Sequence, residues 1–423
     1  MKNIFRAIGF GAALTAFSAI GVFAQANPCD DEFEVKQAEY TKFRESIKGE
    51  VTIEKLETAV SVGTNFTTRY ATCEDTKPVV EYINGKMPVV KETLVDMKRT
   101  KKFNDGVKNG VWADAFSAGK EIVTVKADKP ISLDVALVLA KIGYDLVDAD
   151  TPNDTYNSDT ILMAETALKK IDMASTKYGA FGKYEFKTTK YADGKQNATG
   201  WMNYIIGYIK AQRQKNVKDA LPYMFKAATK YNSEVKTFPE TFQTIGGYYV
   251  EELKKIDATR RDVIKANGDK DNEESLAMWD LEKGYIDRSI DAYSRAHKLA
   301  AAFETAATTA DNKKAAKEYK DGIFGIIKAL YEQRFDKTTG LEAHIAAQLA
   351  KPMPDPTTEV QPVKEVAPTT TTSTSTTSTT TPTTTSTTNT TKPTTNTTTK
   401  PATTTKPTTT TPKKPATKKK SGR

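Results

Sequence analysis

Residues 201–231 read WMNYIIGYIKAQRQKNVKDALPYMFKAATKY, and the spacing of their apolar residues decides the fold class. Trp201, Tyr204 and Tyr208 recur at three and four, which places them on one stripe of a helix over 201–214. Ala220, Met224 and Ala227 repeat the same spacing on a second helix over 216–231. Two helices joined by so short a connection are expected to fold back as an antiparallel pair. Gly207 sits inside the first of them. Glycine in a helix interior costs roughly 0.8–1 kcal/mol relative to alanine. Close approach of the paired helix would offset that cost.

The same grammar recurs along the chain. Ile142-Gly143-Tyr144, Ile206-Gly207-Tyr208, Ile245-Gly246-Gly247-Tyr248 and Lys283-Gly284-Tyr285 each set Gly beside Tyr in a helical pattern. Successive glycines 143, 207, 247 and 284 are 64, 40 and 37 residues apart. Second helices follow with Ala164/Leu168/Ile171, Ala220/Met224/Ala227 and Ser289/Tyr293/Ala296, and Ala115/Gly119/Ile122 read as half of an earlier unit. Around these, helices are expected over 30–47, 52–72, 76–99, 111–125, 156–174, 238–266, 274–307, 311–332 and 340–350. Leu133 to Val147 has two apolar faces, as for a helix packed on both sides. A break or close contact is expected at Gly246-Gly247, and an interhelical turn near Gly284 to Asp287. The glycine-broken stretch 178–195 reads as a loop or hairpin in which Tyr184, Phe186 and Tyr191 are not simply solvated.

This arrangement resembles the tetratricopeptide repeat family. In the best-matched unit Gly207 takes the small position, Ala220 the second-helix alanine, Met224 the aromatic position and Ala227 the later alanine. The unit departs by an extra residue between its helices and by Asn232 where proline is expected. The resemblance covers about residues 110–330. It implies an all-α fold of antiparallel hairpins stacked as a solenoid, with a concave surface that holds peptides or helices. A bundle of four to six helices with a satellite is the alternative. The layout is also similar to that of exported repeat proteins of Gram-negative bacteria.

The ends of the chain set its context. Residues 1–26 read as a secretory signal: Lys2 and Arg6, an apolar run from Ile8 to Phe23, then Ala24-Gln25-Ala26. No later segment is apolar enough to cross a membrane. At the other end, 29 of the 43 residues from Thr369 to Thr411 are Thr, and none can build a core. The domain reading is therefore a signal peptide at 1–26, a helical repeat body at 27–350, and a disordered Thr/Pro-rich tail at 351–423. The tail ends in Lys413, Lys414, Lys418, Lys419, Lys420 and Arg423, expected to touch an anionic envelope polymer. A merely solubilising end is the competing reading.

Charge separates the two parts. Of the net +9, residues 352–423 contribute +7 and the signal +2, leaving the body neutral. A neutral body argues against nucleic-acid binding, which draws its affinity from phosphate neutralisation. Cys29 and Cys73 are the only cysteines. In an exported chain they are expected to form one disulfide, with two reduced thiols or an intermolecular bond as alternatives.

Nothing in the sequence assembles a catalytic set. The chain has two histidines, and His297 falls on the apolar line Ile286, Ile290, Tyr293. No phosphate-binding glycine loop or zinc motif occurs, and no cofactor or metal is expected. Asp269-Lys270-Asp271-Asn272-Glu273 begins like a calcium loop, but Glu274 stands where glycine is required. Asp148, Asp150 and Asp154 likewise lack the glycine, and both stretches read as helix connections. The candidate binding residues are aromatic and basic: Trp201, Tyr204, Tyr208, Arg213, Tyr248 and Tyr249. Tyr and Trp suit a protein-binding or glycan-binding face, and suit packing between repeats equally well. The functional expectation is a non-enzymatic, periplasmic or secreted interaction scaffold, with a protein or peptide partner in its groove. A glycan-binding or carbohydrate-active helical domain is the alternative, which requires a deep cleft with two facing acids.

Overall fold

The computed structural model describes residues 27–364, apart from 180 and 182. The expected signal peptide and the lysine-rich terminus lie outside the described residues. Twelve α-helices follow one another among the described residues: α1 Phe33–Ser46, α2 Ile53–Arg69, α3 Lys77–Asn109, α4 Trp112–Val125, α5 Pro130–Val147 and α6 Asn157–Lys169. The second half holds α7 Gly194–Tyr208, α8 Val217–Thr229, α9 Pro239–Ala266, α10 Glu273–Ala306, α11 Ala310–Phe335 and α12 Leu341–Leu349. Each helix packs chiefly on its neighbours in sequence, from α1 on α2 through α10 on α11. The fold is all-α with paired, sequentially stacked helices. α5 also touches α7, and α12 returns to α10.

Two hydrophobic cores lie along this stack. The smaller gathers Phe43, Leu56, Phe66, Tyr70, Ile83 and Met87 from α1, α2 and the first half of α3. It is closed by the Cys29–Cys73 disulfide, with a Cα–Cα distance of 5.3 Å. Beside the disulfide, buried Lys36 donates to the Cys29 carbonyl at 2.7 Å and to Asp75 at 2.8 Å. The larger core begins at Phe103, near the far end of α3, and runs to Val360. α3 thus spans both cores and outruns the expected 76–99. It stops where Gly110 takes the left-handed conformation, φ 70°.

α5 is buried on almost every face, including Leu133, Val135, Leu137, Val138 and Leu139, as its two apolar faces predict. The glycines within the hairpins mark close crossings. A Cβ at Gly207 would stand 2.9 Å from Cγ of Met224, and one at Gly246 would stand 2.8 Å from the Tyr293 ring. A Cβ at Gly143 would collide with the side chain of fully buried Thr160 on α6.

Several boundaries differ from expectation. α7 starts at Gly194 because Asp193 caps it, accepting from Gln196 N at 3.1 Å. Asn197, in its first turn, donates to the Phe186 carbonyl at 2.8 Å and accepts from the Ser233 hydroxyl and from Glu234 N, both at 3.0 Å. The stretch before it has no helix among its described residues, and it buries Tyr184, Phe186 and Tyr191. α9 does not break at Gly246-Gly247, since the glycines serve the contact with α10. α10 is likewise continuous, with no turn at Gly284 to Asp287. Ser289, Tyr293 and Ala296 therefore complete the α9–α10 hairpin and do not begin another unit.

Gly284 has a different neighbour. The chain after α12 runs back along α10, and the Gln361 carbonyl lies where a Gly284 side chain would project. Met353 and Val360 are buried, and Val363 N donates to the Asp280 carbonyl at 2.8 Å. Arg288 reaches across to the carbonyls of Asp355 (3.0 Å), Thr358 (3.2 Å) and Glu359 (3.1 Å), and to the Thr358 hydroxyl (3.1 Å). Residues 351–364 thus form an ordered strap, where the sequence reading had begun the disordered tail at 351. Buried Met353 and Val360 and the Arg288 clamp hold it there.

Two outcomes test this description. Gly143→Ala is expected to lose about 1–3 kcal/mol of stability through overpacking. Adding Thr160→Ala should recover part of that loss in denaturant unfolding; simple additivity would show that the crossing is not tight. Arg288→Ala should weaken strap docking by about 1–3 kcal/mol, the scale of charge-assisted hydrogen bonds. Limited proteolysis should then cut within 351–364 faster than in the parent, while α1–α9 stay protected.

Candidate binding groove

The expected aromatic stripe separates into three structural roles. Trp201 and Tyr204 are buried between helices, in a cluster with Tyr144 and Phe238. Their ring centroids lie 5.2–5.6 Å apart, the edge-to-face range in which aromatic pairs attract. Lys141 caps this cluster 4.5 Å from the Trp201 ring, and the indole Nε1 donates to Glu234 at 3.2 Å. Burial pushes the Tyr144 and Tyr204 hydroxyls well above their ordinary range. Neither Trp201 nor Tyr204 presents a binding surface, because each fills the seam between successive hairpins.

Tyr249 is buried as well and serves the strap. Its hydroxyl accepts from Arg288 at 3.3 Å, and the guanidinium stands 5.9 Å from its ring.

Tyr208 and Tyr248 are half-buried and line the same open groove, about 860 Å³ in volume. One wall comes from the end of α7 and the turn after it, the other from α9. On α9, Glu240, Thr244, Gly247, Tyr248, Glu251 and Lys255 follow at three and four and so present one face. The floor passes Val217 at the start of α8.

The first wall has an irregular backbone. Residues Ile209–Arg213 form a single π-helical turn, closed by Gln214 N on the Ile209 carbonyl at 3.0 Å. The turn keeps Ile209 and Ala211 in the core while Gln212 faces out, bonding to Thr244 across the groove at 3.5 Å. Lys215 follows at φ 56°, a left-handed conformation costly for a side-chain-bearing residue. Both features concentrate at functional sites.

Arg213 stands beside the groove and does not line it. Its Nε donates to Asp154 at 2.7 Å, and a second nitrogen pairs with the other carboxylate oxygen. The fork ties the turn to the α5–α6 connection, one of the two acidic stretches that lacked a calcium glycine. The nearby Asp148 accepts from the Tyr208 hydroxyl at 3.3 Å. In the other acidic stretch, Asn272 caps α10 by accepting from Ser275 N at 2.8 Å. Among the described residues no group of three or more His, Cys, Asp or Glu is placed to hold a metal ion.

The groove carries mixed charge. Lys255 pairs with Glu252 at 2.6 Å. Burial, opposed by backbone donors and reinforced by Asp148, raises the Glu240 carboxyl. Burial and then Asp148 raise the Tyr208 hydroxyl. His297 lies against Phe324, with ring centroids 5.3 Å apart, and burial lowers its pKa. It is remote in role from the groove.

No protein-family model, curated protein or solved structure matches this chain. No helix among the described residues is long and apolar enough to cross a membrane.

Sequence reasoning missed Glu240, Gln243, Thr244 and Glu251. Their helical spacing was visible, but the wall they face was not. The Arg213–Asp154 fork carries its own prediction. Arg213 first, then Asn157, lowers the Asp154 carboxyl from 3.8 to about 2. Its contribution is therefore fully present above pH 3.8 and is lost as the pH falls through about 2. Arg213→Gln should move the Asp154 titration back towards 3.8, read by carboxyl-carbon NMR.

Proposed function

We propose that this chain is an exported interaction scaffold of tetratricopeptide-like type. A protein or peptide partner occupies the groove between α7 and α9, and the basic terminus from Lys413 to Arg423 contacts an anionic envelope polymer. The observation that carries the reading is the open groove itself, with half-exposed Tyr208 and Tyr248 between Lys and Glu side chains. Aromatic anchors in a polar rim are the usual composition of a recognition surface. The Cys29–Cys73 disulfide fits an oxidising compartment outside the cytosol. The concentration of positive charge beyond residue 351, attached to a neutral body, fits a tether that works by charge alone.

A second reading, glycan binding or hydrolysis, has one observation in its favour. Glu240 carries a raised carboxyl pKa, partly through Asp148, in the same groove as two tyrosines. Paired carboxyl groups are the material of glycoside hydrolysis.

The experiment compares the mature chain, a truncation after residue 364, and Tyr248→Ala on isolated envelopes and envelope extracts. Truncation should abolish retention on envelopes at low salt and leave thermal unfolding unchanged. Tyr248→Ala should reduce recovery of the protein partner by about tenfold or more, the range of an aromatic hot spot. Unchanged retention after truncation would remove the tether from the proposal. Loss of polysaccharide binding, but not of protein recovery, in Tyr248→Ala and Glu240→Gln would favour the glycan reading.

A further inference from the structure

A second cavity, sharing no lining residue with the groove, lies where α8, α9, α10 and α12 meet the start of the strap. Its volume is about 500 Å³, within the roughly 300–1,000 Å³ of small-molecule sites. The floor is apolar: Phe225, Phe242, Leu299, Leu349 and Met353. Met353 comes from the strap, so this floor exists only when the strap is docked.

The rim has one sign of charge. Lys230, Lys236, Lys298 and Arg295 line the cavity, and no Asp or Glu does. Arg295 is already committed. It pairs with Asp291 at 2.8 Å and donates to the Lys351 carbonyl at 2.7 Å, holding the end of α12 to α10. The three lysines are exposed, and none of them makes an ion pair among the described residues. Lys230 stands 5.5 Å from the Phe225 ring, at the lip of the apolar floor. Elsewhere on the body some lysines are matched to acids, as Lys254, Lys255, Lys317 and Lys320 are. Here the positive charge is left open above an oily floor.

We infer that this cavity binds a small amphiphile with one anionic head and an aliphatic or aromatic body. The lysine ammonium groups meet the head at the rim, where they stay hydrated until the ligand arrives. The phenylalanine, leucine and methionine side chains take the body, with Met353 adapting to its shape. An acidic peptide fits less well, because an extended backbone needs hydrogen-bonding partners. The only neutral polar side chain of the lining, Thr229, already donates to the Phe225 carbonyl at 2.7 Å.

The test is calorimetric titration of the full mature chain with dodecanoate, below the concentration at which it forms micelles. Saturable one-to-one binding is expected, weakened by salt. Dodecyltrimethylammonium, with the same body and the opposite head, should not bind, and acetate, with the head alone, should not either. The double variant Lys230→Gln/Lys298→Gln keeps the tail and changes only exposed side chains. It should weaken dodecanoate by about tenfold or more, the effect of losing roughly 1.4 kcal/mol of head-group attraction, with unfolding unaltered. A lysophospholipid with an anionic head would compete with dodecanoate if the natural source is a lipid, whereas competition by an aromatic carboxylate alone would point to a soluble metabolite. Equal binding of the two dodecyl compounds, unaltered affinity in the double variant, or tighter binding of an oligoglutamate peptide would each overturn the inference.

Discussion

The structure depends on how closely paired helices approach within each hairpin. At Gly143, Gly207 and Gly246 the facing helix presents Thr160, Met224 and Tyr293, with no room for a further carbon. These crossings fix the rotation of each helix about its own axis. That rotation decides which stripe faces the next hairpin, and so why Tyr144, Trp201 and Tyr204 meet as an aromatic seam. Packing at this density turns a small steric requirement into a register for the whole stack.

α10 is the second organising element. It carries an unusual layer of buried polar groups: Glu282 fully buried against Arg260 at 2.6 Å, Lys283 against Asp280 at 2.6 Å, and Asp291 against Arg295 at 2.8 Å. Buried pairs of this kind contribute little net stability, because desolvation offsets their attraction. Their geometry does specify where neighbours sit. Arg260 joins α9 to α10, Arg295 joins α12 to α10, and Arg288 holds the strap. One long helix thereby gathers α9, α12 and the strap.

The groove and the basic cavity follow from this frame in different ways. The groove opens where a π turn and a left-handed Lys215 interrupt regular helix, so its wall departs from the pattern that built the hairpins. The cavity opens where the strap crosses the end of the stack and leaves space between Phe225, Phe242 and Leu299. Irregular backbone makes the first, and imperfect covering by a non-helical segment makes the second.

The sequence by itself determined that the body is helical and where most of its helices lie, but not that α10 runs unbroken past Gly284 to pair with α9. Spacings of three and four are local, and a glycine inside such a pattern reports a close neighbour even before that neighbour is known. The Cys29–Cys73 bond was legible too, since two cysteines in one chain leave few pairings. Only the tertiary structure decided what each glycine and aromatic residue faces. Gly284 looked like another hairpin signal, yet it faces the Gln361 carbonyl, some seventy-odd residues away in sequence. Tyr204 and Tyr208 share one stripe, but the first is sealed by Phe238 and the second opens on the groove. Periodicity states which side of a helix is apolar. It carries no information about which distant segment covers that side, because that choice is made by the shape and charge of the partner.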